Sequence, residues 1–326
     1  MKYGLLIFLF FAVQTTGQTV DELTESLTKG IENDSLKVVR IYDWVTKNIT
    51  YDNAFLKKRI EGDTTLLQEP YNAVARKKAV CSGYSKLIKT MCRQVGIESE
   101  VVFGWTKDYR GAFDAQEHAW NVVKIKGEWY VLDATWGASG GDAAKKYLFT
   151  TPSVFIENHY PHDPMWQLSD KPLDFDCFTK DKKCFYDEKI VFNYRDTIAG
   201  WQNKDSLGRM FDFGQRALRY FPNDVEAIRD MANAHSGEAL MAYNAYFNMR
   251  QIVLSNKKDT VSRKEAFALM DKAEAHLRQA LELYKKLTTF ARKGQTTDAH
   301  FNRDLMEENL LRLAEERKTM DQVFRK

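Results

Sequence analysis

A cysteine, a histidine and an aspartate stand in that order at positions 81, 118 and 133, each in a local pattern that suits it to chemistry. Cys81 opens a run in which Leu87, Ile88, Met91 and Val95 share one helical face and Gly96 supplies a stop. It therefore sits at or just before a helix N-terminus. The unpaired amides and positive dipole end found there favour negative charge on a sulfur, and can donate to an oxyanion formed beside it. His118 and Asp133 belong to two strand patterns, His118 to Ile125 and Glu128 to Trp136, joined at Lys126-Gly127. With Ile125 opposite Glu128, His118 falls opposite Thr135 and Trp120 opposite Asp133. The two-residue period puts all four on one face, with His118 and Asp133 as diagonal neighbours about 7–8 Å apart at the backbone. An imidazole beside a carboxylate has its tautomer fixed, and a thiol brought up to it completes a set of nucleophile, base and orienter. Each residue has a plainer reading by itself: a structural cysteine, a hydrogen-bonded core histidine, a strand-end cap. The three together favour the chemistry.

Two regions must position these residues. From about Asp34 to Asp176 short helical patterns alternate with strand patterns, and from about Tyr186 onward the pattern is helical. Ser262-Arg263-Lys264-Glu265 reads as a capping box. It leads into a stripe of Ala266, Met270, Ala273, Leu277, Leu281, Tyr284 and Leu287, with Gly294 as a stop. Thr297 reads as the cap of a further helix carrying Phe301, Leu305, Leu310 and Leu313 on one face. Phe221-Pro222-Asn223-Asp224 separates two earlier helical stretches, so the second region is expected to be a bundle of four or five helices. Ala217 to Tyr246 has a faint look of tetratricopeptide-type pairs, but no second copy follows at a fixed period.

Composition narrows the class without naming a partner. The 326 residues include 44% hydrophobic ones, 48 basic against 45 acidic, 17 glycines and 6 prolines, which excludes disordered and collagen-like chains. Charges of both signs are interspersed, so no basic footprint for nucleic acid is present. Met1-Lys2-Tyr3, an uncharged stretch Gly4 to Val13 and the small polar run to Gly17 read as a secretory signal peptide over 1–18, giving a secreted or periplasmic protein without an integral membrane segment once it is removed. Four cysteines are too few to frame a fold of this length. Cys92 reads as a buried core thiol, and Cys177 and Cys184, flanking a polar loop in an exported chain, as a candidate disulfide. His159, His162 and Asp163 suggest a metal only weakly, and His235, His276 and His300 lack partners at ligand spacing, so no metal is expected. Gly137, Gly140 and Gly141 lack a following Lys-Thr and read as a loop near the site.

The motifs Val80-Cys81-Ser82-Gly83-Tyr84-Ser85, His118-Ala119-Trp120-Asn121 and Leu132-Asp133-Ala134-Thr135-Trp136 resemble the core of the transglutaminase-like superfamily. Flanking segments, Ile41 to Val45, Ile49 to Asp52, Val101 to Gly104 and Thr151 to Leu168, are similar to its kyphoscoliosis-peptidase and cytokinesis-protein branch, over roughly residues 35 to 173. The resemblance implies an α+β fold: a papain-like transglutaminase core with an antiparallel sheet and N-terminal helices over 19–185, followed by an all-α helical domain over 186–326. It implies that Cys81 attacks an amide carbonyl of a protein or peptide, that His118 carries the proton and Asp133 orients it, with no cofactor. The Cys81 amide is the expected first oxyanion donor. Tyr51 and Gln68 are candidates for an oxyanion or substrate contact, with plainer readings as an aromatic anchor and a polar loop residue. Water as acceptor gives a peptidase or amidase, and an amine gives a transglutaminase. The alternative is a catalytically silent scaffold whose helical region is a protein-binding surface.

Overall fold

The computed structural model describes residues 19–61, 69–180, 192–255, 261–291 and 297–325. The expected signal segment, Gln68, Cys184 and Gly294 lie outside them. The described residues form two compact units, one of residues up to 106 with 114–158, the other of 107–113 with 159 onward.

The first unit opens with helices α1 (Val20–Thr28) and α2 (Asp34–Asn48), started by a Thr19–Glu22 capping box and by Asn33, whose side chain accepts the Leu36 amide. Val38, Ile41, Tyr42 and Val45 recur along α2 at helical spacing and are fully buried. Each such side chain is worth roughly 1.5–3 kcal/mol when removed from water. There follow β1 (Thr50–Tyr51), α3 (Asn53–Ile60), α4 (Pro70–Arg76), β2 (Lys78–Ala79) and α5 (Cys81–Gln94). The sheet is built from β3 (Ser99–Lys107), β4 (Phe113–Ile125) and β5 (Glu128–Leu132). Beyond them come α6 (Ala134–Gly137), α7 (Ala143–Lys146), β6 (Leu148–Thr150) and α8 (Pro152–Phe155). Its strands lie in the order β6-β5-β4-β3, and β5 pairs antiparallel with both β4 and β6. Tyr84, Leu87, Ile88 and Met91 of α5 pack into one core with α2 and the inner face of β4 and β5.

The β4–β5 hairpin has the expected register, running from Asn121 opposite Leu132 to Ile125 opposite Glu128. Lys126 and Gly127 both have positive φ, 53° and 87°, the handedness whose twist matches that of the flanking strands. Pairing stops earlier than the sequence pattern suggests. Strand β5 ends at Leu132, and Thr135 lies on α6 instead of facing His118, because Asp133 turns the chain by capping that helix.

The second unit contains β7 (His159–Pro161), a 3-10 turn over Pro164–Gln167 and α9 (Phe175–Lys180). The long helices follow: α10 (Tyr194–Gln202), α11 (Ser206–Tyr220), α12 (Val225–Leu254), α13 (Arg263–Thr288) and α14 (Asp298–Arg325). The stripe on α13 is buried as expected, and Ser262 accepts the Glu265 amide. On α14 Leu313 is buried as expected and Leu305 and Leu310 pack against the core, joined by Met306 and Met320, while Phe301 is 67% exposed. Compactness places residues 159–180 with these helices, ahead of the expected division at 185/186. The physical reason is an aromatic cluster in which Phe175 meets Phe113, Tyr160 and Phe221, supported by a buried His162–Asp224 hydrogen bond and a partly buried Arg216–Asp163 ion pair.

Candidate active site

Cys81 is the first residue of α5, after Val80 in extended conformation, and it is half-buried. The amides of Gly83 and Tyr84 bond to the Val80 carbonyl, closing the first turn. The Cys81 carbonyl accepts from Ser85 Oγ at 3.0 Å. Asn121, fully buried on β4, donates through Nδ2 to the carbonyls of Ser85 at 2.9 Å and Glu100 at 3.3 Å. This amide ties the helix bearing Cys81 to the strand bearing His118, a role that a polar residue within an apolar strand could have signalled.

His118 Nε2 and Asp133 Oδ2 are 2.7 Å apart, with the aspartate fully buried. The other carboxylate oxygen, Oδ1, accepts the amides of Thr135 at 2.8 Å and Trp136 at 3.1 Å. The strand-end cap and the histidine partner are thus the same side chain. Tyr42 Oη donates to the Asp133 carbonyl at 3.2 Å, and the Asp133 amide donates to Tyr147 O at 2.9 Å. Cys81 lines the same cavity as His118 and is among the groups that act on the imidazole. With Nε2 committed to Asp133, Nδ1 is the nitrogen that remains for the sulfur. The ring lies between Trp120 and Trp136, with centroids 6.1 and 5.8 Å away. Burial alone would push His118 down, but the Asp133 carboxylate, by charge and by hydrogen bond, and then Cys81 hold it up, to about 10.

Tyr51 is brought to the site by a pairing that local patterns do not show. β1 runs parallel to β2 with Tyr51 opposite Ala79, two residues before the cysteine. This pairing makes Cys81 a neighbour of the Tyr51 side chain. Burial and the neighbouring Cys81 push its hydroxyl up to about 12, so it stays protonated. Asp52 fixes the turn that follows, accepting the Phe55 amide and pairing with Arg76 at 2.6 Å.

A cavity of about 370 Å³ opens beside Cys81 and His118. Its walls are apolar at Phe55, Leu56, Val80 and Phe103 and charged at Arg59, Lys86 and Glu117. Cys92 is fully buried on the core side of α5, and burial pushes its thiol up to about 12. Cys177 is disulfide-bonded.

A thiol at a helix start, an imidazole, and a carboxylate held by a strand-to-helix junction are the parts of a papain-like core. Residues 21–134 match the model of the transglutaminase-like superfamily, in agreement with the resemblance carried by the motifs around Cys81, His118 and Asp133. Kyphoscoliosis peptidase of Homo sapiens is 29% identical over 208 residues, which are 57% of this chain and 30% of that protein. Hillarin of Drosophila melanogaster is 26% identical over 187 residues, 49% of this chain and 22% of that one. The chain thus spans less than a third of the length of these relatives. A solved structure of a TGase is 23% identical with a TM-score of 0.29, over 36% of this chain and 29% of that one.

Proposed function

We propose that the protein is an exported cysteine enzyme of acyl-transfer type that acts on peptide or protein amides through a thioester at Cys81. The observation that carries the reading is one imidazole bonded to Asp133 at 2.7 Å that lines a single cavity together with Cys81. A peptidase among the relatives adds to it.

In the proposed cycle His118 Nδ1 takes the Cys81 thiol proton as Sγ attacks the amide carbon and the C=O electron pair moves to oxygen. We assign the Cys81 amide and the protonated Tyr51 hydroxyl as the donors to that oxyanion. His118 Nδ1 gives its proton to the departing nitrogen as the C–N bond breaks, leaving an amine and the thioester. Water then attacks, His118 takes its proton, the C–S bond breaks, and a carboxylic acid leaves with Cys81 restored. An amine in place of water yields a new amide, so the acceptor decides between hydrolase and transglutaminase. Hydrolysis is the outcome we favour, because water is always present.

The test is alkylation by iodoacetamide near pH 6, followed by peptide mass mapping. An ordinary thiol with a pKa near 8.5 is only about 0.3% thiolate there. Cys81 is expected to label well ahead of Cys92 and of a cysteine peptide, and His118→Ala to abolish the advantage. Labelling of Cys81 no faster than the peptide, or unaffected by His118→Ala, overturns the enzyme reading in favour of a scaffold. Casein, cell-wall peptides and a fluorescent amine then separate hydrolysis from transfer. N-terminal sequencing of the exported protein checks the signal over 1–18.

A further inference from the structure

We infer that the acyl donor of this site is an acidic peptide, whose carboxylate side chain is read by Arg59 and Lys86 and whose neighbouring apolar side chain rests on Phe103, Phe55 and Leu56. The inference rests on the acyl-transfer reading and adds a substrate class to it.

Phe55, Leu56 and Arg59 stand at i, i+1 and i+4 on α3 and therefore share one helix face, and all three line the cavity that also contains Cys81 and His118. Phe55 is buried and forms wall, while Arg59 is exposed. Among the described residues the Arg59 side chain has no ion pair or hydrogen bond, unlike Arg76, Arg216 and Arg250, each of which is held by a carboxylate. A planar guanidinium at an enzyme cleft with no internal partner suits a bidentate carboxylate from outside. Lys86, five residues after Cys81 on α5, lines the same cavity and has a long contact of 3.5 Å to a half-exposed Glu69. One acid, Glu117, faces the two bases, and Glu117 already has a contact of its own. Among the described residues that line the cavity, two bases therefore stand against one acid. Opposite α3, Phe103 of β3 is 42% exposed within the cavity lining, an aromatic surface left open beside the reactive thiol. Apolar wall and cationic rim together match an apolar side chain next to an acidic one.

The experiment compares two alkylating agents that differ in charge and share iodide as leaving group. Iodoacetate and iodoacetamide are reacted with Cys81 in the full chain, and the rate ratio is divided by that of N-acetylcysteine amide. In the parent protein the normalised ratio is expected several-fold above one. Arg59→Glu, and more so Arg59→Glu with Lys86→Glu, lowers it about tenfold, the size expected when an attraction between exposed charges becomes a repulsion. The His118 imidazolium also attracts iodoacetate, so the change on substitution is the decisive quantity. Raising salt from 0.1 to 1 M contracts the screening length from about 10 to about 3 Å and shrinks the parent's ratio. Peptides with Asp next to Leu or Phe should likewise show several-fold higher kcat/KM than their Asp→Ser counterparts, a preference that Arg59→Glu reverses. A reactive Cys81 whose ratio is unmoved by Arg59→Glu, or turnover indifferent to peptide charge, overturns the acidic-donor inference and leaves the acyl-transfer reading standing. A Cys81 that outpaces the reference with neither reagent overturns both.

Discussion

Replacing Asp133 by Asn in a Cys81→Ala background isolates the coupling between histidine and carboxylate, because the thiol's own titration is gone. Asp133 precedes Cys81 among the influences that raise His118, so the parent histidine keeps most of its elevation. Folded His118 titrates at about 10 against an unfolded value near 6.5. Between these values the native state holds one proton more than the unfolded state. The stabilisation is therefore complete below about pH 6.5 and is lost as pH rises through about 10. Within that window its contribution to unfolding free energy falls by about 1.4 kcal/mol per pH unit, about 2.7 kcal/mol from pH 7 to 9. This slope does not depend on how far the pKa is raised, provided it clears 9. An Asn amide offers Nε2 a donor in place of a charge, and burial then holds His118 neutral, so that slope should vanish. Urea denaturation at pH 7, 8 and 9 measures both proteins, and groups titrating elsewhere cancel in the difference. Parallel slopes, or a stability gap that widens with pH, would refute the coupling. With Cys81 present, Asp133→Asn should also lower turnover by about 10³-fold or more, as loss of the orienting acid does in triad enzymes.

Gly137→Ala would place a Cβ 1.9 Å from Tyr42 Oη, against a fully buried ring that cannot move aside. A loss of about 1–3 kcal/mol is expected by urea denaturation, relieved in part by Tyr42→Phe; full additivity of the two changes would contradict the clash. Arg216→Ala leaves Asp163 buried without the guanidinium that contacts both its oxygens at 3.0 and 2.7 Å, and should cost about 3–5 kcal/mol. Burial already raises the Asp163 carboxyl, and losing the arginine raises it further, so the deficit should shrink as pH falls from 7 toward 5. For the proposed Cys177–Cys184 bridge, reduction should add the mass of two hydrogens and peptide mapping should find the two residues linked; alkylation of Cys177 without reductant would exclude it.

The hairpin and the α13 stripe are legible in the sequence because both depend on local periodicity. A two-residue turn fixes the register, and a 3.6-residue repeat fixes the buried face, as Met270, Ala273, Leu277 and Leu281 show. The α14 face departs from the pattern at Phe301, which stays exposed while Met306, Leu313 and Met320 face the core. Tyr51 is no more than a candidate in the sequence. Its position depends on a parallel pairing between residues 28 apart along the chain, Thr50 with Lys78 and Tyr51 with Ala79, and nothing in either two-residue strand encodes that partner. Asn121 and Tyr42 are hidden for a similar reason, since their bonds to Ser85, Glu100 and Asp133 join elements that only the folded chain brings together.

Asp133 shows why a plain structural reading and a catalytic one need not compete. A strand that continued to Trp136 would have left both carboxylate oxygens without the helix amides, with the side chain able to turn about two torsions. Ending the strand at Leu132 instead commits Oδ1 to two helix amides, and a planar carboxylate with one oxygen fixed has little choice about where the other points. Oδ2 is thereby aimed at His118, whose ring is confined by two tryptophans and whose remaining nitrogen is left for Cys81. The backbone of the same residue bonds Tyr42 of α2 and Tyr147. The orientation of the imidazole is therefore set by the junction of sheet, helix and core, and a change that loosens that junction should disturb the histidine even when no residue touching the cysteine is altered.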